Sequence, residues 1–307
     1  LSPKNSTIEV GRVRRLGEGA FRPAWGAWVE LTPDAEGLSG AYTVSIPVEG
    51  TEENDHQRTR QEFSTLRFLR NQKLPFTVPL PIELLESPSG PAMVRTFIEG
   101  MTHTFHNYPQ SGTPPWESAG RIAAWLHRLD TASPKPHLPG PNSRREFALQ
   151  SLAIFDHLDT PELEPISDWC REHLPPDGPC CLLHGDLHGK NIIHTFDGPP
   201  AVIDWESASL GDPACEMSVI TKGVRRPFKQ PNGLSLLLDA YQAAGGEPIA
   251  PQSVHFYDLC AMALDYGSSL IGTKGQPAEQ SLSNLQGLLR RASKTTASVG
   301  SPNLPAE

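Results

Sequence analysis

LLHGDLHGKNIIHTFDGPPAVIDWESASLGDP, residues 182–213, is the stretch on which the prediction of the fold depends. Cys181–Leu183 is an apolar run that suits a buried strand and is too short for a helix. A polar loop from His184 to Asn191 follows and leads into a second apolar pair, Ile192-Ile193. Phe196–Pro200 is then a strong turn signal. The stretch therefore predicts short strands connected by a polar loop and a tight turn.

Three oxygen-bearing side chains stand at the ends of these strands. Asp186 and Asn191 lie in the polar loop, and Asp204 closes the strand that begins at Ala201. Carboxylate and carboxamide oxygens are the ligands that Mg²⁺ uses together with phosphate oxygens. Phosphoryl transfer needs one carboxylate to accept a hydroxyl proton and another to hold metal, and the order found here is that of the protein-kinase catalytic core. The simpler alternative is a polar hairpin in which Asp and Asn only stabilise turns.

The motifs of this stretch resemble those of a known enzyme family. They are His184-Gly185-Asp186-Leu187-His188 with Asn191, then Ile203-Asp204-Trp205-Glu206, then Gly211-Asp212-Pro213. This set resembles the aminoglycoside phosphotransferase family, which is similar to choline, homoserine and fructosamine kinases and shares their protein-kinase-like fold. Trp205-Glu206 replaces the Phe-Gly of protein kinases, which points to the small-molecule branch.

The resemblance implies a role for each residue of the motif. Asp186 would be the catalytic base, and His188 would touch the transferring phosphate. Asn191 and Asp204 would hold magnesium. Asp212 is expected to brace the catalytic loop from behind.

The expected architecture is an α+β, bilobal protein-kinase-like fold with a small antiparallel-sheet N-lobe and a larger, mostly helical C-lobe. Residues 1–96 would form the N-lobe, with five strands and one helix covering the nucleotide, and residues 97–292 the C-lobe with the acceptor site. Residues 293–307 are small, polar and without pattern, so we expect a disordered tail. ATP or GTP, with Mg²⁺, is the expected co-substrate in the cleft between the lobes.

A glycine-bearing turn resembles the kinase loop that covers the nucleotide. Gly17 and Gly19 lie between two alternating strands, Ile8–Arg15 and Trp25–Leu31, and Arg22 replaces the third glycine of the kinase pattern. By itself such a turn could equally be a plain hairpin. With Asp186 downstream, we expect these three residues to bind the nucleotide.

Four further residues complete the expected nucleotide site. Glu62 lies on a predicted amphipathic helix, at the place of the kinase glutamate that pairs with lysine; it would hold an arginine or be solvated. Arg95, Thr96 and Phe97 lie on the strand that runs into the hinge, where backbone groups would meet the base.

The phosphate-pairing lysine of the family is missing. The predicted third strand, Tyr42–Val48, has Pro47 at the matching position, and no lysine lies between Lys4 and Lys73. An active enzyme needs another cation near the phosphates, because like charges about 4 Å apart repel by several kcal/mol at an effective dielectric near 20. Arg22 is the first candidate, followed by Arg58 and Arg60. The missing lysine also favours an alternative, a pseudokinase or nucleotide-binding regulator. Nucleotidyl transfer is a third possibility, because fold alone does not define the reaction.

The composition indicates which classes of partner and which cellular compartment to expect. The net charge of −9 argues against general nucleic-acid binding and is compatible with a cationic acceptor. No apolar run approaches a membrane span and no leader pattern is evident, so we expect no membrane association. The five cysteines are odd in number and contain no C-x-x-C pair, which favours reduced thiols in a cytoplasm over a disulfide framework or a zinc site. We expect a monomer or a homodimer. A zinc site built from His184, His188 and His194 is disfavoured because successive strand residues point to opposite faces.

Overall fold

A computed structural model describes residues 8–18, 23–31, 40–47, 53–108, 112–131, 138–273 and 275–299. These residues group into two compact units. The sheet unit comprises the described residues within Leu1–Thr102, Ala132–Leu138 and Lys190–Ala208. The helical unit comprises those within His103–Thr131, Pro139–Gly189 and Ser209–Glu307. The lobe boundaries that the sequence suggests, at residues 96 and 292, stay predictions.

The sheet unit contains one five-stranded antiparallel sheet and one helix, as predicted. The strands are β1 (Ile8–Glu18), β2 (Pro23–Leu31), β3 (Gly40–Ser45), β4 (Pro81–Ser87) and β5 (Gly90–Thr96), in the order β1-β2-β3-β5-β4. The strand β3 ends at Ser45, earlier than predicted, because Pro47 has no N–H to donate to a neighbouring strand.

Helix α1 (Glu53–Arg70) packs against β4 and β5. Its apolar residues Leu66 and Leu69 are buried, as the periodicity predicts. The same face also buries polar residues, among them Thr59 and Glu62. The hydroxyl of Thr59 donates to a backbone carbonyl one turn earlier, which satisfies it inside the helix. A buried carboxylate on this face needs a partner from another element.

The stretch that opened the sequence analysis forms short strands and contributes to both units. The short strands are β6 (Met101–Thr102), β7 (Cys181–Leu183), β8 (Ile192–His194), β9 (Ala201–Val202) and β10 (Ser209–Gly211). In the sheet unit, β8 lies between β6 and β9, and β8 and β9 form the predicted antiparallel hairpin with Ile192 opposite Val202. In the helical unit, β7 pairs with β10.

The helical unit contains seven α-helices among its described residues. They are α2 (Pro115–His127), α3 (Arg144–Leu158), α4 (Glu164–Glu172), α5 (Pro213–Thr221), α6 (Gly233–Ala243), α7 (Pro251–Leu270) and α8 (Ala278–Val299). The predicted N-cap is present, since the hydroxyl of Ser143 accepts from the backbone N–H of Glu146, and the carboxylate of Glu146 accepts from the backbone N–H of Asn142. The core of the helical unit includes Leu126, Ile166 and Phe256, which are fully or almost fully buried.

Helix α8 extends beyond its predicted end at Ala292 and includes part of the segment expected to be a disordered tail. No apolar pattern marks the added residues, most of which are small or polar. The hydroxyls of Ser293 and Thr295 donate to carbonyls four residues earlier, so the helix satisfies them locally. Among the described residues, no helix is both long and apolar enough to cross a membrane.

Candidate active site

The loop that carries Asp186 is held from within the helical unit. It follows β7 and spans residues 184–189. The backbone N–H of His184 donates to Oε2 of Glu216, at 2.5 Å, and the backbone of Gly185 and Leu187 hydrogen-bonds to the same carboxylate. Nδ1 of His184 in turn accepts from the backbone N–H of Asp186, at 3.2 Å. His184 is completely buried and helps to orient the loop.

Two glycines allow this loop to take its path. Gly185 has a φ of 79°, in the left-handed region that glycine adopts without steric penalty. Gly189 lies so close to the segment after β6 that a Cβ at this position would be 2.2 Å from the carbonyl oxygen of His103. Any larger residue at Gly189 would push the loop away from that segment.

Glu216 is the residue that braces the loop, and sequence reasoning missed it. It lies on α5 and is completely buried. Burial raises the pKa of its carboxyl group from 4.5 to about 7, although the three backbone hydrogen bonds act in the opposite direction. Among the described residues, its Oε1 has no hydrogen-bond partner. The available signal was that Glu216 is the single charged residue of an otherwise small and apolar helix.

Asp212, which was expected to brace the loop, hydrogen-bonds to α5 and α7. Its Oδ1 accepts from the backbone N–H of Ala214, at 2.8 Å, and so caps the N-terminus of α5. Its Oδ2 accepts from the hydroxyl of Tyr257 on α7, at 3.0 Å. Burial raises the pKa of Asp212 despite these hydrogen bonds. Asp212 therefore fixes the start of α5, and α5 carries Glu216 to the loop.

Asp186 is presented as an ionised, partly accessible carboxylate. Its side chain is 40% exposed, and its Oδ2 lies 3.4 Å from Nε2 of His188. Burial pushes the pKa of Asp186 upward, but the hydrogen bond and charge of His188 outweigh it, so the pKa is lowered. The charge of Lys222, at the C-terminal end of α5, acts in the same direction. A carboxylate in this state can accept a proton at neutral pH.

Asn191 and Asp204 lie in the sheet unit, close to each other. The backbone N–H of Ile203 donates to the carbonyl of Asn191, at 3.0 Å, which joins the two segments beside both side chains. Asn191 is almost fully buried. Asp204 has a φ of 68°, a left-handed conformation that non-glycine residues adopt rarely and that is concentrated at functional sites. A carboxylate beside a carboxamide suits a hard divalent cation.

The structure describes only some of the residues that were expected to bind the nucleotide. Gly17 lies in β1, whereas Gly19 and Arg22 lie outside the described residues. The N–H of Thr96 donates to the carbonyl of Leu80, and the N–H of Phe97 donates to the carbonyl of Ala41. Both N–H groups already donate hydrogen bonds within the sheet unit. A nucleotide base could therefore contact Thr96 and Phe97 only through groups other than these two N–H groups.

Glu62 and Arg95 form an ion pair, which decides between the two expectations for Glu62. The pair links α1 to β5, with Glu62 completely buried and Arg95 15% exposed. Arg58 and Arg60, two of the candidate replacement cations, form ion pairs with other carboxylates. Arg58 pairs with Asp55 on its own helix, and Arg60 pairs with Glu86.

The fold and these residues define a kinase-like phosphotransferase, and comparison with known proteins agrees. The model of the phosphotransferase enzyme family matches residues 35–257, which is more than half of the chain. The chain belongs to this family.

Two solved structures illustrate the shared fold. Aminoglycoside phosphotransferase APH(4)-Ia has 15% identity and a TM-score of 0.64, with 92% of this chain and 94% of the other covered. Macrolide 2'-phosphotransferase MphH from Brachybacterium faecium has 18% identity and a TM-score of 0.62, with 99% and 96% covered. These likenesses confirm the predicted kinase-like α+β fold.

The curated relatives match over shorter segments. Acyl-CoA dehydrogenase family member 10 of Mus musculus is 24% identical over 175 residues, which are 52% of this chain and 16% of that protein. Acyl-CoA dehydrogenase family member 11 of Gallus gallus is 35% identical over 69 residues, 22% of this chain and 9% of that protein. The matched segments are therefore small parts of these relatives.

Proposed function

We propose that this chain is an O-phosphotransferase that moves the γ-phosphate of ATP or GTP to a hydroxyl group of a small molecule. The observation that carries the proposal is the state of Asp186, an accessible carboxylate with a lowered pKa on a loop fixed by Glu216. Asp186 accepts the proton of the attacking hydroxyl. His188, which lies beside Asp186, contacts the transferred phosphoryl group.

Asn191 and Asp204 are the residues that would hold magnesium. The hydrogen bond between Ile203 and Asn191 brings their segments together, and the rare backbone conformation of Asp204 is the kind found at functional sites. Magnesium, when bound, supplies positive charge to the phosphate oxygens. The chain's part is to supply one carboxylate and one neutral oxygen on adjacent segments.

The nature of the co-substrate and the compartment complete the proposal. Similar folds have been solved with ADP, as in APH(2'')-Ib, and with GDP and kanamycin, as in APH(2'')-IIIa. Either nucleotide is therefore a candidate here, and the acceptor is a hydroxylated metabolite or antibiotic. The net charge of −9 suits a cationic acceptor. All five cysteines are free, which suits the cytoplasm. We expect a monomer or a homodimer.

The decisive experiment incubates the purified chain with ATP or GTP, Mg²⁺ and a panel of hydroxylated antibiotics, amino alcohols and sugars. Mass spectrometry should find one acceptor that has gained a phosphoryl group. Asp186→Asn should abolish this product. Asp197→Asn, which changes an exposed aspartate in the β8–β9 turn, is the matched control and should leave the product intact.

Three other results would contradict the proposal. Nucleotide binding without any phosphorylated product would favour the nucleotide-binding regulator. A product that gained a nucleotidyl group would favour nucleotidyl transfer. Equal turnover by wild type and Asp186→Asn would remove Asp186 from the role of base.

A further inference from the structure

The cation of the buried ion pair in the sheet unit lies on β5 and not on β3, the strand that carries the lysine in kinases. Glu62 on α1 is completely buried, and its cationic partner is Arg95 on β5. Arg95 lies directly opposite Thr43 of β3 in the antiparallel ladder. Paired residues of neighbouring strands point to the same face of a sheet. Thr43 therefore points to the same face of the sheet as Arg95, the partner of Glu62.

That face of β3 offers no charge to Glu62. Thr43 and Ser45 are its members there, and both are neutral and buried. Pro47 follows the end of the strand and is also neutral. In kinases with the V-A-I-K motif, a lysine on this strand pairs with the nucleotide phosphates and with the helix glutamate. Here the cation beside the helix glutamate comes from the neighbouring strand.

The helix that carries Glu62 contacts the segment that follows Asp204. The side-chain amide of Gln61, next to Glu62 in α1, donates to the backbone carbonyl of Ala208. Ala208 is four residues beyond Asp204, and both belong to the sheet unit. Helix α1, whose Glu62 binds Arg95, is therefore tied to the segment that begins at the proposed magnesium ligand Asp204.

We propose that Arg95 supplies the positive charge that the nucleotide phosphates need, in place of the missing lysine, and that Glu62 positions its guanidinium. The inference rests on the proposed function, since it takes a nucleotide as the ligand. A guanidinium has five N–H donors in a planar fork, so Arg95 can bond Glu62 and still present donors to a phosphate. Arg58 and Arg60 are less suited, because each is more than 40% exposed and bonded to another carboxylate.

The test compares a ligand that has phosphates with one that lacks them. ADP and GDP are titrated by calorimetry, and the nucleoside of whichever binds is measured by ligand-observed NMR. Arg95→Met should weaken binding of the diphosphate at least tenfold and leave binding of the nucleoside unchanged. Arg95→Lys should lose less, because it keeps the charge. Arg67→Met, which removes an exposed arginine of α1, is the matched control and should bind like wild type.

A second variant covers the case in which Arg95→Met does not fold. Removing one partner of a buried ion pair leaves an unpaired charge, whereas replacing both partners by apolar residues is often neutral. The double variant Glu62→Met/Arg95→Met should therefore fold, with the same loss of diphosphate binding and unchanged binding of the nucleoside.

The outcomes separate this inference from the function on which it rests. Wild type that binds neither diphosphate overturns both the proposed function and the role of Arg95. Wild type that binds, together with folded Arg95 variants of unchanged affinity, overturns the role of Arg95 alone. Equal weakening for diphosphate and nucleoside also overturns it, because the loss would then come from the shape of the site and not from a phosphate contact.

Discussion

Glu216 makes the loop of Asp186 sensitive to pH in a direction that can be measured. Its carboxyl group is completely buried on α5, and burial raises its pKa from 4.5 to about 7. The folded state therefore keeps this proton at pH values where the unfolded chain has lost it. The stabilising contribution is fully present below pH 4.5 and is lost as the pH rises through about 7.

The size of the effect follows from the two pKa values. Linkage gives a loss of about 2 to 3 kcal/mol in the free energy of unfolding between pH 5 and pH 8 from this single group. Another buried group acts in the opposite direction over part of this range. Burial lowers the pKa of His127 to about 3, and the charge of Arg144 adds to this shift. His127 therefore destabilises the fold as the pH falls below the ordinary pKa of histidine. The stability of the wild type alone would therefore hide the effect.

The assay compares wild type with Glu216→Gln, which cannot ionise. Urea unfolding followed by tryptophan fluorescence at pH 5, 6, 7 and 8 gives a free energy of unfolding for each protein. The substitution adds a constant offset, but the titration of His127 is common to both proteins and cancels. We expect Glu216→Gln to gain about 2 to 3 kcal/mol in free energy of unfolding relative to wild type between pH 5 and pH 8.

A matched control uses Glu172→Gln, which changes an exposed glutamate at the end of α4. Its stability should follow wild type at every pH. The reasoning would be refuted if the difference between Glu216→Gln and wild type did not change with pH, or if it changed with the opposite sign. Either result would mean that Glu216 ionises at least as easily in the folded state as in the unfolded chain.

Three further predictions concern catalysis, metal binding and folding. Asp186→Asn should lower the turnover number by about 10²- to 10⁴-fold while the dissociation constant of the nucleotide stays nearly unchanged; a parallel loss of both would contradict its role as base. Asp204→Ala should remove the effect of Mg²⁺ on nucleotide binding, and Asn191→Ala should weaken it less, because it removes only a neutral oxygen; titrations with and without Mg²⁺ test this. Ser143→Ala should lower the free energy of unfolding by about 1 kcal/mol, since α3 loses its N-cap, and an unchanged urea midpoint would argue against that.

The sequence by itself determined the features that depend on neighbouring residues. The turn Phe196–Pro200 and the apolar pairs beside it predict the β8–β9 hairpin, and this hairpin brings Asn191 and Asp204 to adjacent segments. Ser143 likewise predicts the start of α3, because a helix cap involves residues only three positions apart. The kinase-like fold followed from such local signals and from the family motifs.

Only the tertiary structure decided which distant side chains meet. Glu216 lies 32 residues from His184, and Arg95 lies 33 residues from Glu62. No spacing rule connects residues so far apart, so the sequence by itself identified neither contact. The packing of α5 beside the loop and the pairing of β3 with β5 settle which carboxylate holds the loop and which cation meets Glu62.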